Sequence, residues 1–467
     1  MAIALLVSSV VWGASSDKDY VPPPLKPQLS SDGKTLYNGV QPLIIVDRPK
    51  PADELRRIPP PANLQDLAET ATANFTIEYV PNGGTDAWSE PCYTFPEAAK
   101  TAFNAAAAIW GNLLQSSVPI TIKACWASLS SSSTLGYSGG GTLHRDFSGA
   151  PMANTWYSAS LANALHGSDL SSSNQDMHIT YNNKFSWYYG TDGNPPDDQH
   201  DLMTVVLHEI GHGLNFSGTA DYSGGQGSLG TSGYPGIYDR FMRDGSGTLL
   251  TSYTSPSVSL GSVLTGGNLW FHGTNAMTAN GGGRVKMYAP STWAGGSSYS
   301  HLDYNIFNNT ANQLMVYAIS AGEAIHDPGP VTKGLLKDLG WSMPSADTPL
   351  SNGVALNQSM TASVSQGTWK FYYVDIPSKM ANLIIDLYNL SADLDLYVRY
   401  GAKPTLTTYD CRPWRGSTTN ESCSFRSPTS GRWWIGVNNY DTGTINYTVK
   451  AKWSESKGLP WLELLLE

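Results

Sequence analysis

Between Leu202 and Gly218 the chain reads LMTVVLHEIGHGLNFSG, and three of these side chains can do chemistry together. His208 and His212 stand four residues apart, so on a helix both imidazoles share a face and can reach one ion. Glu209 projects aside from that pair, near the ion but outside its ligand set. There a carboxylate can take a proton from water that zinc acidifies. Leu207, Ile210 and Leu214 supply the apolar stripe that seats such a helix. The chemistry implied is metal-assisted hydrolysis with Glu209 as general base. Two imidazoles hold zinc poorly, however, and six residues past His212, where a third is expected, stands Gly218. The bland alternative is an amphipathic helix with two hydrogen-bonded histidines.

The elements that must position these groups follow from local pattern. A strand is predicted in NFTIEYV, an Ala-rich helix in FPEAAKTAFNAAAAIWGNLL, and a second strand in DMHITYNN, followed by the turn-rich YYGTDGNPPDD. Asp197 or Asp198 is placed to cap the motif helix. Residues 217–297 are rich in Gly, Ser and Thr with few periodic elements, and a loop of that length is usually functional or inserted. GPVTKGLLKDLGWSM predicts a short terminal helix ended at Gly340. After a linker at 346–354, alternation takes over: Trp369, Phe371 and Tyr373; Leu394, Leu396 and Val398; Trp433, Ile435 and Val437; Ile445, Tyr447 and Val449. Period-two strands at short spacing predict an all-β sandwich. Residues 15–70 are Pro-rich, show little periodicity and hold no cysteine, which suits a propeptide or an extended linker.

At 467 residues the chain is long enough for two domains. A net charge of −10 leaves no basic stripe for phosphates and excludes nucleic acid as a partner. MAIALLVSSVVWGASSDKD reads as a secretory signal over residues 1–14, cleaved between Gly13 and Ser16. No apolar run reaches the length of a membrane span. Four cysteines agree with export, and their spacing predicts two local disulfides, Cys92–Cys125 and Cys411–Cys423.

A resemblance carries the reading further. In the extended metzincin pattern HExxHxxGxxH, a glycine turns the chain toward the third histidine. Asn215 stands at that position here, and Asn tolerates the left-handed conformation. The passage SSYSHLDYNIFNNTANQLMVYAIS resembles the one by which leishmanolysin-type proteases deliver the third histidine after a long insertion. GPVTKGLLKDLGW is similar to their closing helix, and DMHITYNN to the edge strand that holds extended substrates. The resemblance spans roughly residues 72–343 and implies a zinc metalloprotease domain at 71–345 with an insert at 217–297. It further implies His208, His212 and His301 as zinc ligands, Glu209 as general base and Met315 packed beneath the metal. Tyr317, two residues after Met315, would be a hydroxyl able to stabilise the oxyanion. Asp221, Asp239 and Glu323 are the competing third ligands. His144, His166, His178, His200, His272 and His326 are expected to be surface or structural residues.

Residues 355–452 resemble the bacterial pre-peptidase C-terminal domain, through KFYYVDIP, DLDLYVRYG, CRPWRGSTTNESC and GRWWIGVNNYDTGTINYTVKA. That resemblance implies a β-sandwich appended to a secreted protease. Asp393 and Asp395 are candidate calcium ligands, with simple solvation as the alternative. Trp433, Trp434 and Tyr440 fit either polymer binding or core packing. The tail at 453–467 has no assignment.

The expected fold is therefore α+β: a metzincin-type catalytic domain, with a mixed sheet and an active-site helix, followed by an all-β sandwich. The expected function is a secreted, monomeric zinc metalloendopeptidase, extracellular or periplasmic, that hydrolyses protein or peptide substrates with a zinc-activated water. The competing reading is an extracellular binding or adhesion protein whose metal site is structural or inactive.

Overall fold

The computed structural model describes residues 19–455, except 62–63, 65–66, 68–70, 344–346 and 363–366. The signal sequence expected at 1–14 and the tail beyond Glu455 lie outside the described residues. Among the described residues no helix is long and apolar enough to cross a membrane.

A mixed sheet of seven strands organises the first region. Its six-strand path uses β1 (Leu43–Asp47), β2 (Phe75–Tyr79), β3 (Ile120–Ala127), β4 (Thr134–Gly139), β5 (Met177–Asn182) and β6 (Ala318–Ile319) in the order β6-β1-β4-β5-β3-β2. Strands β2, β3 and β5 run parallel, β4 is antiparallel to both β5 and β1, and β6 is parallel to β1. The two-residue strand Cys92–Tyr93 joins β3, and the Cys92–Cys125 disulfide ties the two together as predicted.

Helix α1 (Glu97–Leu113) lies on this sheet through Ala99, Ala102, Phe103, Ala106 and Trp110, a stripe at the helical period. Its small alanines let the central helix α2 (Leu202–Gly213) come close, and the Trp110 indole donates to the Leu207 carbonyl at 3.0 Å. Helix α3 (Gly329–Leu339) closes the region and stops at Gly340, whose φ is 122°. The insert is folded: a small sheet of Met242–Asp244, Leu269–Phe271 and Val285–Lys286 carries the short helices Val258–Leu264 and Thr274–Ala279.

Three local expectations are corrected. The DMHITYNN strand is central rather than an edge, because β4 pairs along its free side and β1 pairs along β4. The cap of α2 is Asp201, not Asp197 or Asp198. Its carboxylate accepts from the Thr204 amide at 2.7 Å, whereas Asp197 pairs with Arg57 upstream. The extended-linker alternative for residues 15–70 gives way, because this stretch supplies β1, a buried strand of the main sheet. The apolar run LIIV makes this possible, since once paired it buries its aliphatic side chains.

The second region is a sandwich of two four-stranded sheets. One contains Thr348–Pro349, β8 (Trp369–Ile376), β12 (Gly431–Asn439) and β10 (Leu394–Tyr400). The other contains β7 (Ala355–Ala362), β13 (Gly443–Glu455), β9 (Met380–Tyr388) and β11 (Glu421–Arg426). The described part of the expected linker thus already belongs to the sandwich, with Leu350 in its core. Strands β10, β12 and β13 bury the alternating residues read from sequence. Strand β8 is apolar on both faces: Tyr372, Val374 and Ile376 enter the core, while Trp369 and Phe371 form a separate cluster with Tyr397. The Cys411–Cys423 disulfide forms as predicted.

Candidate metal centre

Helix α2 is set in place before any ligand is considered. Leu202, Val205, Val206, Leu207 and Ile210 are all fully buried. At its start Asp201, itself fully buried, also accepts from the Thr204 hydroxyl at 2.6 Å and meets His326 Nε2 at 2.8 Å. At its end Asn215 takes a left-handed φ of 78°, and its side-chain oxygen accepts from the Ser158 amide at 2.7 Å. That turn aims the Phe216 carbonyl back at His212.

Gly218, where a third histidine was expected, sits against Tyr299. A Cβ there would stand 2.2 Å from the tyrosine ring, so no side chain fits. The imidazole comes instead from His301, two residues after that same Tyr299. The insert is held by Asp239, a buried carboxylate that accepts from the Tyr299 hydroxyl at 2.8 Å and from the Thr219 and Gly236 amides. Asp239 is thus a structural post, and Asp221 is exposed. Glu323 is engaged by Lys50, Gln313 and the Ser320 amide. The competing third ligands are therefore all accounted for elsewhere.

His208, His212 and His301 converge, with Nε2 atoms 3.0, 3.1 and 3.2 Å apart. Among the described residues they form the one cluster of His, Cys, Asp or Glu side chains able to share an ion. Each Nδ1 lies against a backbone carbonyl: His208 on Leu314 at 2.7 Å, His212 on Phe216 at 2.8 Å and His301 on Ser297 at 2.7 Å. A carbonyl can only accept, so each Nδ1 carries the hydrogen and each neutral ring presents a lone pair at Nε2. No proton is left to lie between any two of these nitrogens. Three buried lone pairs facing one another repel, and one cation satisfies all three. Zinc–nitrogen bonds of about 2.0–2.1 Å in tetrahedral geometry place ligand nitrogens about 3.3 Å apart, close to the spacing found. The residues fit zinc.

The electrostatics agree. Burial holds the His208 imidazole down at about 4. It holds His212 and His301 well below their ordinary range too, and the neighbouring imidazoles add to the effect. All three rings are neutral and ready to ligate. Glu209 is fully buried beside them, and its carboxylate oxygens make no hydrogen bond. Burial pushes its pKa up to about 8, opposed only by the nearby Ser138 hydroxyl and Ile45 amide, which lie outside good hydrogen-bond geometry. A cation at the three nitrogens would favour the ionised carboxylate.

Met315 is fully buried against α2, its sulfur 2.7 Å from where a Cβ on Gly211 would stand. The Tyr317 hydroxyl accepts from Arg48 at 2.5 Å, and its ring stacks on Tyr288. The remaining histidines lie outside the cluster. In the sandwich, Asp395 is bound to Arg412 at 2.5 Å in a buried ion pair, which takes that carboxylate out of the expected calcium pair with Asp393. Trp433 is buried in the sandwich core and Trp434 is half-buried. His326 is structural, as expected, while sequence reasoning missed Asp201 and the three carbonyls that orient the imidazoles. The carbonyls leave no side-chain signal to read.

Comparison with known proteins bears on both regions. Residues 369–439 match the bacterial pre-peptidase C-terminal domain, and residues 167–225, which include α2, match a family described as SPBPB7E8-like. The chain is 30% identical over 166 residues to alkaline serine exoprotease A of Vibrio alginolyticus, covering 33% of this chain and 30% of that protein. It is 27% identical over 117 residues to a zinc metalloprotease of Helicobacter pylori, covering 24% of this chain and 44% of that protein. The chain thus spans less than half the length of either relative. The pre-peptidase C-terminal domain of a Bacillus anthracis collagenase matches 24% of this chain and 99% of its own length, at 14% identity and a TM-score of 0.20. Those two relatives are named as bacterial proteases of two catalytic classes.

Proposed function

We propose that this chain is a secreted zinc-dependent endopeptidase of the leishmanolysin-like metzincin type, with His208, His212 and His301 as its zinc ligands. The observation that carries this reading is the set of three converging lone pairs beside an unpartnered Glu209. When bound, zinc supplies Lewis acidity toward a peptide carbonyl and toward water. Glu209 takes the proton from the attacking water and passes it to the departing amine. The carbonyls of Leu314, Phe216 and Ser297 fix the ring orientations, so the ligands need no rearrangement. Tyr317 serves as a hydroxyl donor to the oxyanion once Arg48 has moved away. The protease names of the similar proteins agree with this class of reaction.

The test is a casein digest with zinc-loaded chain, with and without a chelator, beside a Glu209→Gln control. Hydrolysis that survives both treatments would defeat the proposal.

One observation favours the second reading, a structural metal in a binding protein: His208, Glu209 and His301 have no exposed surface, so substrate has no approach in this arrangement.

A further inference from the structure

The insert carries a cationic face that the metal cage does not use. In its small sheet Leu269, Phe271, Val285 and Met287 are buried, so the alternate residues point outward. Strand pairing sets Arg243 opposite Trp270 and Trp270 opposite Lys286, which puts all three in one outward row. Arg284, two residues before Lys286, shares that face. Its guanidinium lies 4.9 Å from the centre of the Trp270 ring, and the Lys286 ammonium lies 5.7 Å from it.

None of these three cations has a carboxylate partner among the described residues. Arg284 donates to the Asp244 and Gly245 carbonyls, each at 3.1 Å. Arg243 donates to the Gly247 carbonyl at 3.1 Å, and its Nε finds no acceptor. The neighbouring acid, Asp244, spends its carboxylate on Ser246, Tyr253 and the Thr248 amide. Three unneutralised cations around one indole are a local exception in a chain of net charge −10. The His272 imidazole on the same sheet is held below its ordinary range, by burial first and then by Arg243 and Arg284.

This face leads to the cage. The strand that holds Lys286 runs on to Tyr288 and pairs with the segment that supplies His301. The Tyr288 amide donates to the His301 carbonyl at 2.9 Å, and the Asp303 amide to the Lys286 carbonyl at 3.1 Å. Tyr288 stands two residues past Lys286 on the same face, and its ring stacks on Tyr317 at 4.4 Å. Arg284, Lys286 and Tyr288 thus form a row about 13 Å long, at roughly 3.3 Å per residue.

We propose that Arg243, Trp270, Arg284 and Lys286 bind an acidic segment of the protein substrate, about four to six residues from the bond cleaved. The proposal rests on the endopeptidase reading and adds a determinant of which substrates that site accepts. Guanidinium and ammonium groups without a carboxylate of their own favour one brought from outside. The half-buried indole gives the side chains that carry those carboxylates an apolar floor. A peptide suits the face better than a free polyanion, because the row is continuous with the strand beside His301. A substrate lying along it meets the cations while its other end reaches the cage. Opposite charge also speeds the encounter.

The experiment uses the full zinc-loaded chain beside Lys286→Glu and Arg284→Glu/Lys286→Glu. A mixed peptide library is digested and the cuts are mapped by mass spectrometry. A labelled tetraglutamate peptide is titrated by fluorescence anisotropy. The unaltered chain should show Asp and Glu enriched about threefold, on one side of the cut and about four to six residues from it. Charge reversal should exchange that preference for Lys and Arg, and weaken binding of the tetraglutamate by about tenfold at low salt. A merely structural role would lower all cleavage alike and exchange nothing. Should the double variant fail to fold, Lys286→Glu carries the test, since the Lys286 ammonium makes no hydrogen bond among the described residues. A cleavage profile unchanged by reversal overturns the proposal. Binding of a sulfated polysaccharide that needs these cations, with the profile unchanged, would assign the face to that polymer and overturn it too. Tetraglutamate binding lost on reversal, with no hydrolysis by any chain, would establish the surface and defeat the endopeptidase reading instead.

Discussion

The two regions bury polar groups under the same physical constraint and resolve it in opposite ways. In the sandwich, the buried carboxylates of Asp395 and Glu421 find partners within the fold. Asp395 is paired with Arg412, and Glu421 accepts from the Leu396 and Arg415 amides. In the first region, three imidazoles spend their one hydrogen on a carbonyl and then face one another with lone pairs, beside a carboxylate with no partner at all. A buried polar group without a partner costs stability, so a protein that concentrates several in one place is built to receive something from outside. One ion would satisfy all three imidazoles of the cage.

The sharpest way to break this contrast is at the third ligand. His301→Ala should abolish hydrolysis to the detection limit and drop bound zinc from one equivalent to well below it, read by elemental analysis. Full zinc in that variant would refute the cage. Next in size is Glu209→Gln, which should keep its zinc while turnover falls by about 10²–10⁴-fold, the usual range for a lost general base. Loss of zinc together with activity would mean the carboxylate is a ligand, not a base.

In the sandwich, Asp395→Ala strands a buried guanidinium and should destabilise that region by about 3–5 kcal/mol in a denaturant titration, leaving turnover unchanged. If activity fell in step, the two regions would not be independent. Tyr317→Phe should lower kcat by about 10²-fold with little change in KM. An unchanged kcat would return Tyr317 to a packing role.

The smallest effect comes from acid. Burial holds His144 in the first region at about 4, below its ordinary 6.5. Its neutral form is favoured in the fold, so its contribution is full above about pH 6.5 and is lost as pH falls toward 4. The sandwich contains no histidine. Between pH 7 and 5 the first region should lose about 1–2 kcal/mol from this residue, a fall in Tm of a few degrees. Equal shifts in both transitions would show that some other group is titrating.

Much of the architecture was legible because its cause is local. Alternation in β10, β12 and β13 reports which face is buried, since successive side chains on a strand point oppositely. The four-residue spacing of His208 and His212 reports a shared helix face for the same kind of reason. Elements whose neighbours lie far along the chain were harder. DMHITYNN was recognisable as a strand, but its place in the middle of the sheet depends on β4 and β1, and no residue of its own records them. Asp197 and Asp198 were plausible caps by composition. Asp201 holds the position because the helix begins one residue after it, where Thr204 can donate back.

By itself the sequence determined the helix that carries two imidazoles and a carboxylate, the alternating strands of the sandwich and the short cysteine pairings. Each of these follows from contacts within a few residues or across a short loop. Tertiary structure alone decided that Asp239 posts the insert instead of joining the cluster, that Gly218 must yield to Tyr299, and that residues 43–47 pair as a strand of the main sheet. These outcomes turn on which backbone edges and buried spaces remain free once everything else has packed. That competition is settled only when the whole chain is in place.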